Sequence, residues 1–182
     1  MDLGRLSPSA IAARVSSAAT TALDVAQDTL ARLAAYDAVQ PQIWSSRAEP
    51  DAILSAAKAV DARIAAGETL PLAGVPFAVK DNIDVAGLET TAGCPAFAYA
   101  PDVNASVIDR LLAAGAICVG KTNLDQFATG LVGTRSPYGI PANASAVALA
   151  RVPPSRWRRD WSVLPSAPTL RVRAGCQPRS TT

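Results

Sequence analysis

Histidine is absent from this chain of 182 residues. Imidazole is the usual acid–base group at neutral pH and a frequent metal ligand, so its absence excludes histidine-dependent catalytic triads and argues against most transition-metal sites. Any catalysis must instead use lysine, serine, cysteine, tyrosine or carboxylate groups. We therefore expect neither a metal ion nor a cofactor.

Cysteine and long apolar runs are also scarce. The three cysteines, Cys94, Cys118 and Cys176, are odd in number and widely spaced, a pattern that fits neither a disulfide framework nor a zinc site. No apolar run approaches the roughly 18 residues that a membrane span requires. The first residues also lack the basic and apolar segments of a signal peptide. We expect a cytoplasmic protein that does not associate with membranes.

The composition favours a single domain of helical or mixed α/β structure. Hydrophobic residues make up 49% of the chain and aromatic residues only 5%, and the length suffices for one compact core. Apolar residues at helical spacing predict four helices. One is capped by Ser7, one covers residues 21–36, one covers residues 50–67, and one is capped by Asn104 or Ser106 and ends at Gly115.

Two short apolar runs predict buried strands on either side of the last helix. They cover residues 75–79 and 116–119. A strand, a helix and a second strand in this order predict a βαβ unit and a mainly parallel sheet.

Residues 115–122 match the phosphate-binding pattern Gly-x-x-x-x-Gly-Lys-Thr. In a nucleotide-binding loop, a flexible backbone cradle lies between the two glycines and a helix follows the lysine. Here Gly115 ends a predicted helix, and the residues between the glycines form a continuous apolar run typical of a strand. Backbone that is paired in a sheet cannot wrap a phosphate, so we interpret the match as coincidental.

Lys80 stands at the end of the first predicted strand, which is unusual because lysine is rarely buried without a partner. From the residues alone, the commoner interpretation is a side chain that reaches solvent or pairs with Asp81 or Asp84. The alternative interpretation is a catalytic base held at the end of a strand.

Four segments around these residues resemble the amidase signature family. Residues 74–84 are similar to the family's lysine-bearing strand, and residues 120–128 are similar to the segment that follows it. Residues 93–97 and 129–139 resemble allophanate hydrolases more than general amidases. The resemblance extends from the first helices to about Ala144. It implies the α/β amidase-signature fold, in which helices surround a mixed β-sheet.

The resemblance also implies a Ser–Ser–Lys catalytic system, in which a neutral lysine deprotonates a bridging serine that in turn activates a nucleophilic serine. Lys80 matches that lysine, and burial at the strand end would favour its uncharged form. Ala128, Thr129 and Gly130 match the substrate-facing loop. The implied substrate is a small amide, allophanate first and a general amide as the alternative. Members of the family are often homodimers.

Neither serine motif of the family is present in the chain. The Gly-Gly-Ser-Ser-Ser-Gly loop, which holds the bridging serine, is missing, as is the Gly-Thr-Asp-Thr-Ala-Gly-Ser segment, which ends in the nucleophile. The serines that follow Ala144 have different neighbours. We therefore expect a truncated amidase-signature unit that is inactive as it stands.

The composition changes near residue 145. Residues 1–150 contain ten basic and fourteen acidic residues, whereas residues 151–182 contain seven arginines and one acid. We therefore divide the chain into an N-terminal part of an amidase-signature domain, residues 1–144, and a non-native Arg/Pro-rich tail, residues 145–182. Such a tail is typical of a disordered segment or of a nucleic-acid-binding arm. The acidic body lacks basic patches with interleaved aromatics, so we expect no nucleic-acid partner.

A shifted reading frame is the third explanation of the tail, and we favour it. Each lost residue is then encoded by the last base of one codon and the first two bases of the next. Under permitted third bases, residues 146–153 can encode Gly-Gly-Ser-Ser-Ser-Gly-Ser, and residues 166–173 can encode Gly-Thr-Asp-Thr-Ala-Gly-Ser. Only the third base of each codon is free, so the agreement is hard to ascribe to chance.

Overall fold

The computed structural model describes residues 6–130, 133–141 and 170–172, the last three by their backbone alone. Within these ranges lie four α-helices, α1 (Pro8–Ser16), α2 (Ala22–Asp37), α3 (Pro50–Ala65) and α4 (Ser106–Ala113). The strands are β1 (Trp44–Arg47), β2 (Pro76–Lys80), β3 (Ile117–Thr122) and β4 (Leu170–Val172). None of the described helices is long and apolar enough to cross a membrane.

The strands form one mixed sheet in the order β1-β3-β2-β4. β2 pairs in parallel with both β3 and β4, whereas β1 pairs antiparallel with β3. Because α4 connects β2 with β3, these three elements form the βαβ unit that the sequence predicts. The predicted α/β class with a mixed sheet is thereby confirmed. The carboxyl ends of β2, β3 and β4 meet at one edge of the sheet, which we call the carboxyl edge.

Helices cover both faces of the sheet. On one face, α1, α2 and α3 pack against Ala78, Ile117 and Val119. On the other face, Ile108 of α4 packs in a core with Phe77. Phe77 and Ala78 belong to different cores because successive side chains of a strand point to opposite faces. Burying a side chain of the size of Phe77 or Ile108 contributes about 1.5–3 kcal/mol, so both cores stabilise the sheet.

Side-chain caps fix the start of α2. Thr21 accepts a hydrogen bond from the N–H of Asp24, and the Asp24 carboxylate accepts one from the N–H of Thr21. Asp61 of α3 accepts from the N–H groups of Ala22 and Leu23 at 2.7 and 3.1 Å. A helix start carries unpaired N–H groups and partial positive charge, and carboxylates satisfy both. The Asp61 contact therefore joins α2 to α3.

The start of α4 differs from the prediction. Its N-cap is Ala105, and neither Asn104 nor Ser106 caps the helix with its side chain. The Asn104 side chain instead accepts from the N–H of Ala86 at 2.8 Å and donates to Asp109 at 2.9 Å. Asn104 therefore ties the helix to the turn after β2, which a local cap would not do.

A β-bulge interrupts β3 at Gly120. Phe77 of β2 pairs with Cys118, but the next residue, Ala78, pairs with Gly120. Gly120 has a φ of +150°, and a Cβ added there would lie 2.8 Å from a backbone oxygen of β1. One extra residue in a strand reverses the faces to which the following side chains point. The bulge therefore sets the orientation of Lys121.

Gly120→Ala should lower the free energy of unfolding by more than about 2 kcal/mol, because the added Cβ meets the backbone of a paired strand. Gly67→Ala is the matched control, since Gly67 also has a positive φ, +87°, but nothing lies within 4 Å of an added Cβ. We expect the control to cost about 1 kcal/mol. Urea unfolding followed by circular dichroism measures both costs. Equal costs would mean that the approach to β1 does not constrain Gly120.

β4 belongs to the segment that the sequence assigns to a non-native tail. Its backbone pairs with β2, with Leu170 opposite Phe77 and Val172 opposite Val79. Residues 142–169 and 173–182 lie outside the described part of the chain, so the division at residue 145 stays a prediction. The three described residues pair with β2 on the side away from β3. Without them, β2 would present an open edge there.

Candidate active site

Lys80 is the last residue of β2, so it lies at the carboxyl edge, where the sequence predicts the catalytic base. Its side chain is half-buried, and its backbone position pairs with Thr122, the last residue of β3. The loop that contains Ala128, Thr129 and Gly130 follows β3 after a few residues. The base and the substrate loop predicted from the sequence therefore arise from the same edge. Ligands of parallel sheets characteristically bind there.

Lys80 does not pair with either of the acids considered from the sequence. Asp84 accepts hydrogen bonds from the hydroxyl groups of Thr90 and Tyr99 at 2.9 and 2.7 Å, and Asp81 pairs with a different lysine. Of the residues that the structure describes, none forms a side-chain hydrogen bond or an ion pair with Lys80.

Lys121 of β3 forms a fully buried ion pair with Asp81. Its Nζ lies 3.3 Å from Asp81 Oδ1 and donates a hydrogen bond to the hydroxyl of Thr90. Burial lowers the pKa of Lys121 from its ordinary value, and the negative charge of Asp81 opposes that shift. Removing one partner of a buried pair leaves the other charge uncompensated, at a cost of about 3–5 kcal/mol. The pair therefore holds β3 to the turn after β2.

A second set of hydrogen bonds surrounds the other oxygen of Asp81. The hydroxyl of Thr91 donates to Asp81 Oδ2, and the N–H of Gly93 approaches the same oxygen at 3.4 Å. Thr91 Oγ1 in turn accepts from the hydroxyl of Tyr138 at 2.8 Å. Buried carboxylates persist when hydrogen bonds and an opposite charge compensate their desolvation. Both oxygens of Asp81 are engaged in this way.

The predicted substrate loop contains a strained turn. Gln126–Ala128 forms one turn of 3-10 helix, in which φ is +49° at Phe127 and +57° at Ala128. Such angles are rare outside glycine, cost about 1–3 kcal/mol each and concentrate at functional sites. Ala128 and Thr129 are exposed, and Gly130 is half-buried. The loop is therefore accessible at a point where its backbone is constrained.

Asp125 holds this loop from its buried side. Its carboxylate accepts hydrogen bonds from the N–H groups of Gly133 at 2.8 Å and Arg135 at 2.7 Å. A Cβ added at Gly130 would lie 2.5 Å from Asp125 Oδ2. The loop therefore folds over a carboxylate that leaves room for glycine alone at position 130.

Cys118 does not add a reactive group to this site. Burial raises the pKa of the Cys118 thiol to about 11, so it stays protonated at neutral pH. Cys94 is a half-buried free thiol in the loop after β2. In the described ranges, no three acidic or sulfur-containing side chains lie close enough together to hold a metal ion.

The Asp81–Lys121 pair was not predicted from the sequence. In the sequence, Lys121 belongs to the phosphate-loop match and to the family-like segment 120–128, but neither pattern gives it a role. The structure places it in a strand, β3. The signal that could have revealed the pair is a lysine inside an apolar strand, together with an aspartate directly after the neighbouring parallel strand.

Comparisons with known proteins identify the domain. The Amidase family profile matches residues 27–151. The urea amidolyase of Saccharomyces cerevisiae is 75% identical over 72 residues, which are 40% of this chain and 4% of that protein. A glutamyl-tRNA(Gln) amidotransferase chain of Chloroflexus aurantiacus is 41% identical over 145 residues, which are 78% of this chain and 29% of that relative.

A solved structure shares the fold as well. The allophanate hydrolase of Kluyveromyces lactis matches with a TM-score of 0.63 and 40% identity, over 75% of this chain and 22% of its own. The chain thus spans less than a third of each of these relatives. Since the profile match covers most of the chain and a solved relative has a similar fold, this chain belongs to the amidase family.

Proposed function

We propose that this chain supplies the lysine-bearing part of an amidase that hydrolyses allophanate or a closely similar small amide. The position of Lys80 carries the proposal: it is an amine at the carboxyl edge, without an acid partner among the described residues. The strained loop of Ala128, Thr129 and Gly130 arises from the same edge. The 40% identity to a solved allophanate hydrolase supports the choice of substrate.

In the proposed reaction, the uncharged Nζ of Lys80 accepts a proton from a bridging serine. That serine accepts the proton of the nucleophilic serine, which attacks the carbonyl carbon of the amide. The tetrahedral intermediate breaks its C–N bond while the proton returns to the nitrogen, so that ammonia leaves. Water then attacks the acyl-enzyme, and Lys80 again accepts the proton through the bridging serine. The C–O bond to the nucleophilic serine breaks, the proton returns to that serine, and the acid product leaves.

We infer that the 182-residue chain does not perform this reaction by itself. Neither family motif that holds a catalytic serine occurs in its sequence. A lysine base activates a nucleophile and does not replace it, so Lys80 alone leaves the amide carbonyl without an attacking group.

A shifted reading frame in residues 145–182 accounts for the missing serines. In the alternative frame, the codon of the nucleophile straddles Val172 and Arg173. The hypothesis rests on this codon comparison.

The nucleotide sequence tests this hypothesis directly. Reading one base earlier from about codon 145 should give Gly-Gly-Ser-Ser-Ser-Gly and then Gly-Thr-Asp-Thr-Ala-Gly-Ser. Between Ala144 and the first of these motifs, the chain also lacks a few residues that the family pattern has. The product of the shifted reading, with those residues restored, is called the frame-restored protein below. It should release ammonia from allophanate, whereas the 182-residue chain should release none above the uncatalysed rate. If no frame encodes either serine motif, the frame-shift hypothesis is wrong and the arginine-rich tail needs another explanation.

The frame-restored protein also distinguishes allophanate hydrolase from general amidase activity. Its kcat/KM for allophanate should exceed its kcat/KM for malonamate and for simple aliphatic amides. A simple amide used as well as allophanate would favour the general amidase and contradict the proposed substrate, although not the proposed chemistry.

A further inference from the structure

The two lysines at the carboxyl edge point to opposite faces of the sheet. Val79 pairs with Lys121, and the next residue, Lys80, pairs with Thr122. Paired residues of neighbouring strands share a face, and successive residues alternate between faces. The bulge at Gly120 produces this arrangement, because without its extra residue Lys121 would share the face of Lys80.

Asp81 is the carboxylate nearest to Lys80 in the sequence, and its position affects the chemistry of that amine. A carboxylate beside Lys80 would stabilise the charged ammonium and suppress its action as a base. Asp81 is instead fully buried, with Lys121 Nζ 3.3 Å from one oxygen and the Thr91 hydroxyl donating to the other. Lys121 and Thr91 therefore hold the carboxylate on the face opposite Lys80.

We propose that Lys121 is a positioning residue that sequesters the carboxylate of Asp81 and thereby leaves Lys80 free to act as a base. The proposal rests on the proposed function, because it gives the two lysines different parts in one reaction. Buried Lys121 neutralises the acid, and half-buried Lys80 takes the proton. Tyr138, which donates to Thr91 at 2.8 Å, supports the same arrangement from the loop after β3.

The proposal can be tested in the 182-residue chain itself by chemical labelling of its lysines. The sequence contains three lysines, of which Lys58 is exposed, Lys80 half-buried and Lys121 buried. Limited acetylation with acetic anhydride near neutral pH modifies only uncharged, accessible amines. Peptide mass spectrometry then gives the labelling of Lys80 relative to Lys58. In the unaltered chain, Lys121 should remain unlabelled.

Lys121→Met should lower the labelling of Lys80 relative to Lys58 at least about threefold, because the released Asp81 carboxylate pairs with Lys80 and keeps it charged. Asp81→Asn is the matched control. It breaks the same buried pair and should lower Tm to a similar extent, but it leaves no carboxylate at position 81. The labelling ratio should therefore not fall in this variant, and adding Asp81→Asn to Lys121→Met should restore it.

Further variants guard against loss of folding. Lys121→Gln replaces Lys121→Met if the latter does not fold. Thr91→Val releases one oxygen of Asp81 while Lys121 stays in place, so it should lower the labelling ratio by a smaller factor.

Two outcomes would overturn the proposal. The ratio could fall equally in Asp81→Asn and in the Lys121 variant, which would indicate general loosening of the strand end. The labelling ratio could also stay unchanged in every folded variant that retains Asp81.

Because labelling requires no turnover, the labelling experiment is separate from the test of amide hydrolysis. A frame-restored protein without activity would contradict the proposed function and leave the labelling result intact.

Discussion

Lys80→Ala should abolish ammonia release by the frame-restored protein, with kcat for allophanate lowered by at least about a thousandfold. Without this amine, no group accepts the proton of the bridging serine. KM should change little, because the role of Lys80 is proton transfer. Initial rates of ammonia release at saturating and at low allophanate measure the two parameters.

Two companion variants separate basicity from charge and from folding. Lys80→Arg retains a positive charge, but a guanidinium does not lose its proton near neutral pH, so the loss of activity should be equally large. Lys58→Ala removes an exposed lysine of α3 and should leave kcat within about twofold. Substantial turnover by Lys80→Arg would contradict the role of Lys80 as a base.

The strongly periodic helices could be predicted from the sequence because local signals agree with tertiary packing. α2 (Ala22–Asp37) lies within one residue of the predicted range, since Thr21 provides a cap and the apolar face is continuous. β1 (Trp44–Arg47) was not predicted. Its four residues include two serines and an arginine, and none of them is buried. The antiparallel pairing with β3, a contact with distant residues, stabilises this strand instead.

The candidate site could likewise be predicted only in part. The position of Lys80 follows from local sequence, because an apolar run that ends in a lysine predicts a strand end. The partner of Asp81 does not, since Lys121 reaches it only through the parallel register of β2 and β3 and the bulge at Gly120. Hydrophobic periodicity reveals neither register nor bulge. Local sequence therefore predicts where Lys80 lies, and the family resemblance assigns it as the base. Neither predicts the ion pair beside it.

Asp125→Ala should release the loop that contains Ala128, Thr129 and Gly130. The buried carboxylate accepts from the part-buried N–H groups of Gly133 and Arg135, and a hydrogen bond to a charged group contributes about 1.5–3 kcal/mol, less where the donor reaches solvent. The free energy of unfolding should therefore fall by about 2–4 kcal/mol. In addition, exchange of the two amide hydrogens should become at least about tenfold faster. Urea unfolding and amide exchange of the 182-residue chain measure these effects.

Further variants show whether the carboxylate of Asp125, rather than the volume of its side chain, holds the loop. Asp125→Asn keeps one acceptor oxygen but turns an NH2 group toward the second donor, so it should have a smaller cost than alanine. Asp102→Ala removes an exposed acid elsewhere and should change neither stability nor exchange.

Gly130→Ala should mimic Asp125→Ala, because its Cβ would displace the carboxylate 2.5 Å away. In the frame-restored protein, both should lower kcat/KM for allophanate, since a displaced loop no longer orients the amide. If the Gly133 and Arg135 amides stayed protected in Asp125→Ala, the carboxylate would not be what holds this loop.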